Sequence, residues 1–549
     1  MSGSDAIGRF NTVLAAYFRA WYRYHPETAV DLGVADHAGA LRPYGDDDMG
    51  ALVALHEKLL DSLEEIDEGA LDPERRLDLE LVRGHAVIEL HELVERDWRR
   101  RDPLAFVPVH AVYQLTVRRV PDAGAALAAR LAAVPHYLRG ARAHLLVEPE
   151  AVPPPWLASA AAEAEAGAAY LRGLRGHPLV AARRLEAALE QAAHALEDYA
   201  RFLERELAPR AAGDFAAGRA LFGLLLSQRH FLDVTPEALR AFGERLADET
   251  RDALRRVTRG LRGDEDVAAL TRAIQADHPP AERLLEHYRE AMAAARAFVE
   301  REGLVSLPPV GTLEVVETPV FLRHRIPFAA YLEPQPNDAR QAGRYYVTPP
   351  ADAAALGEHN RAAIRHTSVH EAWPGHHLQF VTAHLNPPAS TPPRLLHTSA
   401  TLYEGWALYC EQLMAEQGFL DAPESRFLLL KDRLWRALRV IIDVDLHTGG
   451  LGLEAAAGRL CAELGFTPGQ ARAELDWYSR APTVPMGYAV GWALIEAARD
   501  RLRAAPGFTL RGFHDRLLSA GSVALPLVLA SRFGPDLWRA AAAEVFPAA

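Results

Sequence analysis

A mainly α-helical chain carrying one small antiparallel β-sheet is the fold the sequence predicts, on three observations. Apolar residues recur at i, i+3, i+4 and i+7 from residue 5 to about residue 300, with Pro and Gly between the runs. Residues 303–349 turn rich in Val, Thr, Tyr and Phe, with Pro336-Asn337-Asp338 and Ala342-Gly343 as turn signals. After Pro350 the helical period returns and runs to the end.

The first helical stretch includes GALVALHEKLLDSLEEI and HPLVAARRLEAALEQAAHALEDYARFLERELA, and TPEALRAFGERLADETRDALRRV opens on Thr235 as N-cap with Pro236 in the first turn. The alanine-rich segments 158–169 and 210–220 show no fixed period, so an irregular helical domain is preferred over a repeat array. The block at 303–349 reads as two to four short strands beside the helix that follows. Breaks near 386–393, 448–452, 465–469, 482–487 and 505–507 divide the C-terminal helices. The expected organisation is an N-terminal helical region, 1–300, covering a cleft. A catalytic region, 301–549, completes one continuous globule.

Composition narrows the function classes. The 549 residues are 49% hydrophobic and 24% charged, and none of their windows matches the ~18 uncharged apolar residues of a membrane span. The formal net charge of −13 repels phosphate backbones and anionic lipid, so neither nucleic acid nor membrane is an expected partner. Only Cys410 and Cys461 occur, with no C-x-x-C spacing, which points to reduced thiols. The opening MSGSDAIGRFNTVLAAYF lacks a basic segment followed by an apolar one, so a cytoplasmic location is expected.

The chemistry sits in TSVHEAWPGHHLQF, residues 367–380. Two imidazoles at i and i+4 on a helix can share a metal, but here i+4 from His370 is Pro374. In a regular helix His376 would lie about 240° round from His370. Pro374 cannot donate to the carbonyl of His370, and Gly375 tolerates unusual backbone, so the pair reads as a two-residue insertion within a helix over Ala353–Leu385. The helix then resumes with His376 in the place of i+4, and His377 points toward packing or a supporting hydrogen bond. The other reading ends one helix at Trp373 and starts another at Gly375. A third ligand must come from elsewhere, and HTSATLYEGWALYCEQL offers Glu404 on a helix starting near Ser399, with Glu411 on the same face. Glu371 is the general base expected beside the first ligand. One Zn²⁺ per chain is the expected cofactor, although two His and a carboxylate also suit Fe(II). Tyr331 and Tyr345, in the strand block, are expected to line the cleft and contact substrate.

The H-E-x-x-P-G-H stretch, EGWALY, LRVIIDVDLH, YHPETAVDLG at 24–33, AAYLEPQPNDARQAGRYYV and FHDRLLSAGSVALPLVLAS together resemble the bacterial family catalogued as domain of unknown function 885, a set of zincin-like metallopeptidases. The resemblance implies a gluzincin-like zinc metallopeptidase fold with metal on His370, His376 and Glu404 and with Glu371 as base. It also implies Arg439, Asp443, His447 and Tyr488 as site residues: His447 or Tyr488 donating to an oxyanion, Arg439 holding a substrate carboxylate, Asp443 in support. Where the family pattern reads P-G-Q-A-x-x-Y-x-x-G, this chain has Pro482-Thr483-Val484-Pro485-Met486-Gly487-Tyr488-Ala489-Val490-Gly491. Val484 and Ala489 are expected to make the pocket more apolar.

The resulting expectation is a zinc-dependent hydrolase cleaving short peptides or other small amides. The alternatives are a tailoring enzyme hydrolysing an amide or ester in a small metabolite, and a non-catalytic helical binding protein.

Overall fold

The computed structural model describes residues 3–323, 326 and 328–547. The chain divides into two compact units. One comprises Met1–Phe215, Pro319–Arg325 and Gln335–Asp338, the other Ala216–Thr318, Ile326–Pro334 and Ala339–Ala549. Their boundary at Phe215 lies ahead of the residue-300 division drawn from the sequence.

The first unit is helical among its described residues: α1 (Gly3–Tyr24), α2 (Asp46–Glu64), α3 (Pro73–His91), α4 (Ala123–Leu145), α5 (Pro154–Gly173) and α6 (Glu186–Phe202), with shorter helices between them. α6 shows how the pattern becomes packing. Leu189, Ala192, Ala193 and Leu196, at i, i+3, i+4 and i+7, are buried against α4 and α5.

The second unit holds α7 (Pro236–Arg262), α8 (Leu284–Glu302), strands β1 (Thr312–Glu317), β2 (Ala329–Leu332) and β3 (Ala342–Val347), then α9 (Arg361–Glu371), α10 (His376–Leu385), α11 (Ala400–Glu416), α12 (Pro423–Thr448) and α13 (Gly487–Leu502). Thr235 caps α7, its hydroxyl accepting from Ala238 N–H at 3.2 Å, and the Leu239, Phe242 and Leu246 face of α7 packs on α12. α11 is apolar nearly all round, with Trp406, Ala407, Tyr409, Cys410 and Leu413 fully buried, so it runs through the core.

The sheet corrects the antiparallel expectation. Its order is β1-β3-β2, with β3 parallel to β1 (Thr312↔Ala342 to Glu317↔Val347) and antiparallel to β2 (Tyr331↔Tyr345). A parallel neighbour needs a connection of a dozen residues or more, and residues 318–341 provide one that lays β2 down on the far side of β3. β2 is therefore an edge strand.

Candidate metal centre

Asn360 starts α9 by accepting from Ala363 N–H at 2.8 Å, and the helix ends at Glu371. The single helix expected over Ala353–Leu385 is thus three: Ala353–Glu358, α9 and α10. Between α9 and α10 the Trp373–Pro374 peptide is cis. The hydrogen bonds across the break keep count: Gly375 N–H donates to Val369 O at 3.0 Å and Leu378 N–H to Ala372 O at 3.3 Å. Each spans six residues where an α-helix spans four, so two residues are looped out and α10 resumes in the register of α9. Gly375 is required here by proximity, because a Cβ would stand 1.8 Å from His370 O and 2.4 Å from Val369 O. The indole of Trp406 closes the loop by donating to Pro374 O at 2.9 Å.

The break returns His376 to His370, with ring centroids 4.8 Å apart. His370 Nε2 lies 3.5 Å and His376 Nε2 3.2 Å from the same atom, Glu404 Oε2. One ligand atom from each of the three residues falls within 4.8 Å of the others. Glu404 comes from α11, which Ser399 caps and which crosses α13 at two glycines: a Cβ on Gly405 would lie 2.5 Å from Gly491 Cα. That crossing brings Tyr488, near the start of α13, beside Glu404 and His370, its ring 6.3 Å from His370 at an interplanar angle of 14°.

Glu411, two turns further along α11, accepts from His370 Nδ1 at 2.7 Å, leaving Nε2 to face Glu404. Burial opposes charge on His370, but the facing carboxylates of Glu404 and Glu411 outweigh this and hold its pKa up at about 10. Burial likewise opposes ionisation of Glu404, yet His376 and His370 hold it well below the usual carboxylate range. Glu371, half-buried, is pushed up first by burial and then by Glu404 and Glu411, against the pull of His376 and His370. The donor set is two imidazole nitrogens and a carboxylate, with Glu404 Oε2 buried, unpartnered and facing both rings. Two imidazoles and a carboxylate are a donor set that fits a zinc ion.

The other residues singled out in the sequence fall into two groups. Tyr331 on β2 is brought to the site, its ring stacked 6.3 Å from His376 and its hydroxyl 3.0 Å from His377 Nδ1. His377 is fully buried, with its ring edge-on to Trp373, and burial followed by Arg296 lowers its pKa to about 4. Tyr345 corrects the substrate-contact expectation. It is 0% exposed and packed beside Tyr288. His447 is also corrected: Nδ1 accepts from Ala217 N–H at 3.2 Å and Nε2 donates to Tyr478 O at 3.0 Å, so both nitrogens are committed to backbone. Asp443 supports the turn before Tyr488, accepting from Thr483 N–H at 3.2 Å and Met486 N–H at 3.3 Å. Arg439 is 4% exposed and paired with Glu474 at 2.9 Å, its guanidinium 4.5 Å over the Tyr488 ring. It backs the Tyr488 ring, while its buried Nη1 has no hydrogen-bond partner. Ala489 is fully buried in α13, so it does not line a pocket as expected. The sequence reading missed the hydrogen bond of Glu411 and missed His366, whose signal was its place one turn before His370.

The family model described as "Bacterial protein of unknown function (DUF885)" matches residues 26–531. The chain belongs to this family. No curated protein sequence matches it. Two solved structures share the fold. One, from Shewanella oneidensis, is named as a candidate lipoprotein of unknown function and superposes with a TM-score of 0.76 at 19% identity, covering 94% of this chain and 98% of its own. The other, named as a candidate lipoprotein from Colwellia psychrerythraea, gives 0.78 at 17% identity over 97% and 99%.

Proposed function

We propose that this DUF885 chain is a zinc-dependent hydrolase of peptide or other amide bonds in small substrates, with a gluzincin-like centre. The observation that carries the reading is the convergence of His370 Nε2, His376 Nε2 and Glu404 Oε2 on one point, with Glu371 adjacent in sequence to the first ligand. When bound, zinc supplies Lewis acidity that polarises a carbonyl and acidifies water. Glu371 takes the proton of the attacking water and delivers it to the leaving amine, a task its raised pKa suits. Tyr488, beside Glu404, donates to the oxygen on which charge develops. Glu411 fixes the tautomer and orientation of His370. The edge strand β2, carrying Tyr331 next to His376, offers main-chain groups to an extended substrate.

Metal analysis of the purified protein tests this directly. About one zinc per chain, with amide hydrolysis abolished by a chelator and restored by zinc, is expected; a purified protein that neither contains zinc nor takes it up sinks the reading. No described helix is long and apolar enough to cross a membrane. The two free cysteines fit the expected cytoplasmic location, against which the lipoprotein naming of both relatives sets a tethered, exported form; cell fractionation separates the two.

A further inference from the structure

We infer that a second divalent-cation site lies one helical turn behind the zinc centre, formed by His366, Glu411 and Asp432. One ligand atom from each falls within 4.8 Å of the others. His366 is 3% exposed and neither ring nitrogen has a hydrogen-bond partner; its Nδ1 stands 3.9 Å from Glu411 Oε2, beyond hydrogen-bond length. Glu411 Oε2 is buried and unpartnered as well, while Oε1 is held by His370. A buried imidazole and a buried carboxylate oxygen left unpaired each cost free energy unless something binds both.

The placement follows from helix geometry. His366 and His370 share a face of α9 at i and i+4, and Glu404 and Glu411 share a face of α11 at i and i+7. His370 meets both glutamates, so moving one turn back along α9 and onward along α11 leads to a second imidazole–carboxylate pair. Asp432 joins it from α12 with its side chain 32% exposed, giving the cluster a solvent-facing side. Arg436, 3.6 Å from Asp432, offsets part of the charge of the two carboxylates. One nitrogen and two carboxylate oxygens form a harder donor set than the zinc centre, suited to Mn²⁺ as well as Zn²⁺. Glu411 would bridge the two sites through His370, so occupancy of the second tunes the basicity of a ligand of the first.

The site stands whether or not the hydrolase reading does, and one experiment distinguishes them. Chelator-stripped protein is reloaded with one equivalent of zinc and titrated with Mn²⁺, free Mn²⁺ being followed by electron paramagnetic resonance and both metals counted after desalting. One zinc and one manganese per chain are expected, with His366→Ala and Asp432→Asn each weakening manganese binding at least tenfold and leaving zinc content unchanged. Asp432→Asn is the cleaner variant, because it leaves the Glu411–His370 bond untouched. Failure to retain manganese, or retention unaltered in both variants, overturns the second site. A zinc count near zero with variant-sensitive manganese binding rejects the zinc centre and keeps the second site.

Discussion

Replacing Gly375 by Ala tests the register argument where it is most exposed. The new Cβ would stand 1.8 Å from His370 O, and ordinary contact begins at 3.4 Å, so the two strands of the break must separate by about 1.6 Å. Such overpacking costs roughly 1–3 kcal/mol. Separation also stretches the Gly375 N–H to Val369 O bond, worth about 1 kcal/mol more, so the metal-free protein should lose roughly 2–4 kcal/mol in urea unfolding. Because His376 follows residue 375 directly, its ring moves by a similar distance relative to His370 and Glu404, and zinc affinity measured by chelator competition should fall on the order of 100-fold, about 2.7 kcal/mol. Gly50→Ala, at a helical position with nothing within 4 Å, is the control and should raise stability by roughly 0.5–1 kcal/mol. A Gly375→Ala protein with wild-type stability and zinc affinity would refute the claim that the break sets the ligand geometry.

Three further outcomes follow from the site. Glu371→Gln should keep stoichiometric zinc and lose 10²- to 10⁴-fold in turnover, roughly the contribution of a positioned base; loss of zinc instead would make Glu371 a ligand. His376→Ala should empty the centre while His377→Ala retains most of the metal, since His377 is engaged by Tyr331 on its other side; metal analysis showing the reverse would shift the ligand by one residue. Asp443 gives a pH signature: burial lifts its pKa from 3.8 to about 8, against the pull of the Thr483 and Met486 N–H groups. The folded state then holds the proton more tightly, so this contribution is full below pH 3.8 and is lost as pH rises toward 8, by at most ~1.4 kcal/mol per pH unit. Asp443→Asn should flatten that dependence in urea titrations; equal slopes for both proteins would show that the carboxyl is ionised in the fold.

What could be read from the sequence was what local chemistry decides. Helical periodicity gave the elements, and Pro374-Gly375 inside a His-Glu segment pointed to a built-in interruption, because neither residue is neutral in a helix. The parallel pairing of β1 with β3 was not legible, since both strands carry the same composition whichever way they run. Nor were the fates of His447 and Tyr345, whose partners Ala217 and Tyr288 are distant in sequence. His366 was within reach of the i, i+4 rule, but only when the rule is applied backwards from His370 as well as forwards.

The contiguity of Glu404, Gly405 and Trp406 has a physical reason in this fold. The centre requires a carboxylate facing two histidines, a helix crossing close enough to bring Tyr488 alongside, and something to hold the looped-out residues of the break. Glu404 meets the first need, and Gly405, against Gly491, meets the second by removing the Cβ that would keep α11 and α13 apart. Trp406 meets the third through its bond to Pro374 O. Successive helical residues point about 100° apart, so three neighbours on α11 can serve three different elements at one level of the helix. A helix buried along most of its surface can do this, which is why α11 runs through the core and why the candidate metal centre is assembled around it rather than on a surface loop.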